Sequence, residues 1–168
     1  MDNQGKNIIL IGMPGSGKST IGVVLAKHMG YRFVDSDLVI QEKYGKRLYQ
    51  LIEENGVEGF WKIENDVNAS LNVTFSVIAT GGSAIYGKSA MEHLSEIGMV
   101  VYLQLSLEEV AERLGDLNAR GVTLQPGQNL QDLYAERTPL YEKYADVTID
   151  CNGKQLRDIV IEIADHMG

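Results

Sequence analysis

An α/β fold built on a parallel sheet is what this sequence predicts, and three observations predict it. Short apolar runs alternate with amphipathic stretches along the chain, the rhythm of βαβ units. The first run, Ile8–Ile11, leads straight into Gly12-Met13-Pro14-Gly15-Ser16-Gly17-Lys18-Ser19 and then into a stretch of helical period, the setting of a phosphate-binding loop. A length of 168 residues, with 44% hydrophobic and 23% charged composition, fits a single domain over 1–168 with one substantial core.

The elements follow in order. Strands are expected at Asn7–Ile11, Arg32–Val34, Ser76–Thr80, Met99–Leu105 and Val147–Asp150, each a short apolar run. Between the first two, Ile21, Val24, Leu25 and Met29 fall on one helical face, and Gly30 supplies a stop. Ser106-Leu107-Glu108-Glu109 has capping-box spacing, so a helix is expected from there to about Leu114. Near the C-terminus Leu156, Ile159, Val160, Ile163 and Met167 form another apolar stripe, read as core-facing. Two regions break the rhythm. Residues of about 38–70 form a helical insertion carrying Tyr49, Phe60 and Trp61, and residues of about 113–128 are polar and punctuated by Gly121, Pro126 and Gly127. A loop of that length inside a compact domain is usually functional, often a lid.

Charge and cysteine usage narrow the partners. The net charge of -8 opposes a nucleic-acid binder, which needs a basic stripe to displace phosphate counterions. No run approaches membrane-spanning length, so no membrane partner is expected. The single cysteine, Cys151, allows no internal disulfide and reads as a buried small hydrophobe in a reducing, cytoplasmic setting. A monomer is the expected state.

The glycines of Gly12–Ser19 let backbone N–H groups turn inward toward phosphate oxygens, and the following helix start, Ser19 and Thr20 included, adds partial positive charge. Lys18 reaches the β- and γ-phosphates, while the Ser19 hydroxyl is a ligand for Mg²⁺. ATP with magnesium is the expected cofactor pair. No Asn-Lys-x-Asp tetrapeptide marks guanine specificity, and the short chain with its lid-like loop favours a small-molecule kinase.

Asp35-Ser36-Asp37 ends the second expected strand, where ligands bind in open α/β sheets. Asp35 could hold Mg²⁺ beside Ser19, and Asp37 could accept hydrogen bonds from substrate hydroxyls and take the attacking proton. The competing reading is an Asx turn opening the next helix, with Asp37 as its N-cap.

The pattern resembles the shikimate kinase family over nearly the whole chain. The matching segments are Gly12–Ser19, Phe33-Val34-Asp35-Ser36-Asp37, Phe60 with Glu64, Ala79-Thr80-Gly81-Gly82, Arg113-Leu114, Arg120, and Arg137-Thr138-Pro139-Leu140-Tyr141 leading to Ala145-Asp146. The resemblance implies a three-layer P-loop kinase fold: a five-stranded parallel sheet of order 2-3-1-4-5, helices on both faces and a lid. It implies ATP, Mg²⁺ and phosphorylation of the 3-hydroxyl of shikimate, a hydroxylated, carboxylate-bearing small molecule. It further implies that Asp37 holds substrate hydroxyls, that Gly81 and Gly82 present backbone to the substrate and that Arg137 pairs with its carboxylate. Arg120 would contact the phosphates from the lid, and Arg113 would lie against the adenine. Arg137 stands four residues from both Leu133 and Tyr141, a spacing that anchors its helical turn while the guanidinium reaches an anion. A surface ion pair with Glu136 or Asp132 is the alternative.

Several positions depart from the family pattern, among them Val57, which follows Gly56 in place of a glutamate. Trp61 stands where an arginine follows the phenylalanine, Ser83 replaces a third glycine, and Gly121 follows Arg120 in place of proline. Trp61 could face a less charged acceptor or pack in the core, and Lys62 could supply the missing charge. Shikimate kinase activity leads; a kinase for another polyol, sugar acid or nucleotide and a catalytically idle ATP-binding module are the alternatives.

Overall fold

The computed structural model describes residues 7–114 and 125–167. The apolar runs become β1 (Asn7–Ile11), β2 (Arg32–Asp35), β3 (Ser76–Ala79), β4 (Gly98–Gln104) and β5 (Val147–Asp150). Every pairing is parallel, and the strands lie in the order β2-β3-β1-β4-β5. Central β1 is buried from end to end, as a continuous apolar run in a sheet covered on both faces should be. The expected strands and the implied order are both present.

Helices cover the sheet: α1 (Lys18–Met29), α2 (Ser36–Tyr44), α3 (Leu48–Ala69), α4 (Lys88–Ile97), α5 (Leu107–Leu114), α6 (Leu130–Tyr144) and α7 (Leu156–His166). In α1 the buried stripe is Ile21, Gly22, Leu25 and Ala26, and Val24 is turned outward. The rotation has a steric cause. A methyl group at Gly22 would come within 2.6 Å of the Phe33 ring, so the helix seats its bare side on the sheet. Ser106 Oγ accepts from Glu109 N at 3.2 Å, the forward half of the expected capping box. The return half is replaced, because Ser106 N donates to Asn152 Oδ1.

The 38–70 insertion is two helices rather than one. Gly45 turns left-handed at φ 64° to end α2, and α3 is itself interrupted at Gly56, where φ 75° and ψ 174° leave helical space. Ile40, Leu51, Phe60 and Val67 form a second small core between α2 and α3, separate from the main core around the sheet. Cys151 is buried, and burial pushes its thiol up to about 11, in keeping with a packing role. Among the described residues no helix is long and apolar enough to cross a membrane. Residues 115–124, which include Arg120 and Gly121 of the expected lid, lie outside the described residues.

Asn7 pins the start of the sheet. Fully buried, its Nδ2 donates to Val73 O at 2.8 Å and Ile97 O at 3.1 Å, and its Oδ1 accepts from Ser76 N at 2.9 Å. Asn7→Leu leaves those three backbone groups buried without partners. It is expected to destabilise the fold by about 2–4 kcal/mol, read as a lower urea midpoint at unchanged slope.

Candidate active site

The site sits at the carboxyl ends of β1, β2 and β3, where an open parallel sheet leaves a crevice. After β1 the loop Gly12–Gly17 holds φ values of 152° at Gly12, 80° at Gly15 and 91° at Gly17, a path side-chain-bearing residues resist. Gly17 opens α1 with no side-chain cap, so the first amides of the helix are left for an anion. Lys18 folds back over this loop. Its Nζ donates to Gly12 O at 2.8 Å and Met13 O at 2.9 Å. Burial lowers its pKa to about 8, with Asp37 the largest influence holding the charge in place. A cation desolvated among carbonyls gains strongly when phosphate arrives.

At the end of β2, Asp35 divides its carboxylate between two tasks. Oδ1 accepts from Asp37 N at 3.0 Å and so caps α2, while Oδ2 accepts from Ser19 Oγ at 3.2 Å. The Asx turn is therefore real, with Asp35 rather than Asp37 as its cap, and it leaves one oxygen facing Ser19. Asp37 turns instead toward the cleft. Burial first and the neighbouring Asp35 second raise its carboxyl to about 6, against the pull of Lys18. A carboxylate near neutrality is suited to accept a proton from a hydroxyl.

After β3 the chain runs Thr80-Gly81-Gly82-Ser83. Thr80 Oγ1 donates to Leu10 O at 2.8 Å and ties this turn to β1. A methyl group at Gly81 would come within 2.6 Å of Glu64 Oε2 and 2.8 Å of Asp37 Oδ1; at Gly82 it would meet Pro14 Cδ at 2.8 Å and Arg137 Nη1 at 2.9 Å. Bare backbone is thus the only fit between the phosphate loop, the two carboxylates and the guanidinium.

Arg137 is 1% exposed on α6, between the equally buried Leu133 and Tyr141. The surface ion-pair alternative falls with that burial: Glu136 accepts from Tyr86 Oη and Gln128 Nε2, and Asp132 accepts from Asn129 N. Tyr141 Oη donates to Gly82 O at 2.6 Å, which joins α6 to the glycine turn. The Arg137 guanidinium lies 5.4 Å from the centre of the Tyr86 ring, and Tyr86 stacks on Trp61 at 4.2 Å with planes 21° apart.

Together these residues line a cleft of about 290 Å³ that includes Pro14, Lys18, Ser19, Thr20, Asp37, Phe60, Glu64, Gly81, Gly82, Ser83 and Arg137. Two expected acceptor residues are absent from its lining. Trp61 stands behind Tyr86, and Lys62 has a side chain 80% exposed that pairs with Asp66 at 3.5 Å on the outer face of α3. The physical reason is helical phase: Phe60 and Glu64, four apart, share the inward face, and Lys62 points the opposite way. Arg113 lies beyond the loop, with Nη1 4.0 Å from where a methyl at Gly17 would stand. Glu64, for which the sequence offers a pairing with Lys62 or direct contact with substrate, meets Ser83 instead of Lys62: Ser83 Oγ donates to Glu64 Oε1 at 2.6 Å. Tyr86 carries no sequence signal, because a lone tyrosine in a short turn looks like any surface aromatic.

This geometry has close counterparts. A model of the shikimate kinase family matches residues 14–168. The shikimate kinase of Francisella tularensis subsp. novicida is 40% identical over 163 residues, covering 95% of this chain and 93% of that protein. Among solved structures, shikimate kinase from Acinetobacter baumannii in complex with shikimate superposes with a TM-score of 0.86 at 34% identity, over 96% of this chain and 92% of that one. Shikimate kinase from Aquifex aeolicus gives 0.79 at 30% identity, over 94% of each chain. A deoxyadenosine kinase from M. mycoides, at 13% identity and a TM-score of 0.63 over 96% of this chain and 97% of that one, shares the fold alone. The phosphate loop, the carboxylate pair and the buried arginine therefore sit in a P-loop kinase fold, and the chain belongs to the shikimate kinase family.

Proposed function

We propose that this chain transfers the γ-phosphoryl group of ATP to the 3-hydroxyl of shikimate, in a reducing cytoplasmic setting. The observation that carries the reading is the position of Lys18, which is at once the floor of the phosphate loop and a wall of the cleft holding Asp37 and Arg137. A triphosphate seated on the loop would end beside a hydroxyl held by Asp37. Transfer through a loose transition state needs chiefly this alignment and charge stabilisation.

Each residue then has a task. The amides of Gly12–Gly17 and the start of α1, with Ser19 and Thr20, hold the phosphates, and Lys18 neutralises charge on the transferring group. Asp37 orients the acceptor hydroxyl and accepts its proton. Arg137 pairs with the acceptor carboxylate, and Gly81 and Gly82 offer backbone amides beside it. Phe60 backs the acceptor ring. Arg113 lies against the nucleotide base, and Arg120 contacts the phosphates. Magnesium fits the donor set present: a hydroxyl and a carboxylate oxygen, on Ser19 and Asp35, already face one another, and this ion takes few protein ligands beside phosphates and water. When bound there it would screen the phosphate charge. Trp61 acts through Tyr86 as a positioning residue for Arg137.

Purified protein supplied with MgATP and shikimate should release ADP and yield a monophosphorylated product with its ³¹P signal coupled to the ring. A panel of sugar acids, nucleosides and nucleoside monophosphates should give no turnover; turnover with one of those and none with shikimate would replace the acceptor. Lys18→Ala is expected to lower kcat by about 10³-fold or more at unchanged melting temperature. Asp37→Asn should lower kcat by about 10²–10⁴-fold. Trp61→Ala should raise the KM for shikimate several-fold and change the KM for ATP far less, because the Tyr86 ring on which Trp61 stacks faces the Arg137 guanidinium.

A further inference from the structure

Glu64 lies at the acceptor end of the cleft, 2% exposed, on the inward face of α3. Its Oε1 accepts from Ser83 Oγ, and Oε2 stands 2.6 Å from where a methyl at Gly81 would be, on the side of the turn that also meets Asp37. The groups facing it come from four elements. Ser83 stands in the glycine turn, Asp37 on α2, Lys18 on α1 and Arg137 on α6; α4, which packs along α3, adds no residue to the lining. Lys62 and Asp66, on the same helix, pair with each other outside. Among the described residues no lysine or arginine forms a direct ion pair with Glu64.

A carboxylate-bearing acceptor entering this cleft would add a further anion beside the buried Glu64 and its neighbour Asp37. Two carboxylates that close cannot both stay ionised cheaply, and the usual resolution is that one of them keeps a proton. Glu64 is the one equipped for it. Ser83 is a hydroxyl that donates to the ionised carboxylate and, once rotated, accepts from the carboxylic acid, so both protonation states are satisfied without moving a backbone atom. Once protonated, Glu64 is neutral and no longer repels the acceptor carboxylate, as the ionised form would. Burial already pushes Glu64 up to about 7, with Ser83 and, more weakly, Arg137 and Lys18 opposing and Asp37 assisting.

We propose that capture of the anionic acceptor is coupled to uptake of one proton by Glu64, with Ser83 as the hydroxyl that adapts to either state. The inference rests on the acceptor proposed above. It makes the Glu64–Ser83 pair a specificity device: anionic acceptors are favoured below neutrality and lose affinity above it.

The sign follows from linkage. The acceptor prefers the protonated form, so its affinity is constant below the pKa of Glu64 in the free enzyme and falls as pH rises through it. From pH 7 to 8 the dissociation constant should rise ~5-fold for a single site of this pKa. The test is calorimetric titration of shikimate into the enzyme with MgADP, at pH 7.5, in buffers of differing ionisation enthalpy. Wild type should take up most of one proton per site. Glu64→Gln, which mimics the acid form, should bind with much smaller uptake than wild type and with a shallower fall in affinity from pH 7 to 8. Ser83→Ala removes a hydrogen bond to the ionised form and should move the midpoint to higher pH. A merely structural Glu64 would change affinity without changing proton uptake. Binding with no proton uptake, or with the same uptake in Glu64→Gln, overturns the coupling and leaves the acceptor reading standing. No binding of shikimate by the wild type overturns both.

Discussion

The arrangement depends on a steric constraint: two consecutive positions, Gly81 and Gly82, where no side chain fits. A single added carbon at either would collide with the phosphate loop, a carboxylate or the guanidinium. Because the backbone is bare there, α1, α2, α3 and α6 can each bring a charged group to the same few ångströms. Tyr141 and Thr80 fasten the turn on either side, one to α6 and the other to β1. The charges are thus preorganised by packing that contains no charge at all, which is how a site holds its geometry without relying on the interactions it must later exchange with ligand.

The cleft gathers two cations and two carboxylates with few direct ion pairs among them. Lys18 is satisfied by loop carbonyls, Asp37 gives its amide to the Asp35 cap, and Glu64 is held by a hydroxyl. Partners of this kind leave formal charges uncancelled, so that each remains available to substrate. Burial then shifts all three toward their neutral forms, the ordinary signature of groups kept ready for exchange.

Much of this was legible in the sequence, for identifiable reasons. Strands buried on both faces read as apolar runs, as β1, β3 and β4 do, while the less buried β2 and β5 showed only as short aromatic or β-branched patches. The phosphate loop could be read because its chemistry demands glycines at set spacing. Leu133 and Tyr141, one turn away on either side, marked the turn of Arg137 as anchored, though not the arginine itself as buried. What failed to read were pairings between distant segments. Nothing near Ser83 says that a carboxylate from α3 lies against it, nor does Trp61 reveal that it stacks on the tyrosine that faces the arginine. Lys62 misled because adjacency along a helix is divergence in space: the residue next to Trp61 faces solvent. The break at Gly56 was equally hidden, since a glycine within a helical period can be tolerated or can end the helix.

Asp35 carries one consequence beyond its two contacts. One oxygen is committed to the start of α2 and the other to Ser19, so a cation bound at Asp35 would need to displace only the hydroxyl contact. The helix that presents Asp37 keeps its cap throughout. The placement of Asp37 is therefore independent of whether the Ser19 contact is kept or given up.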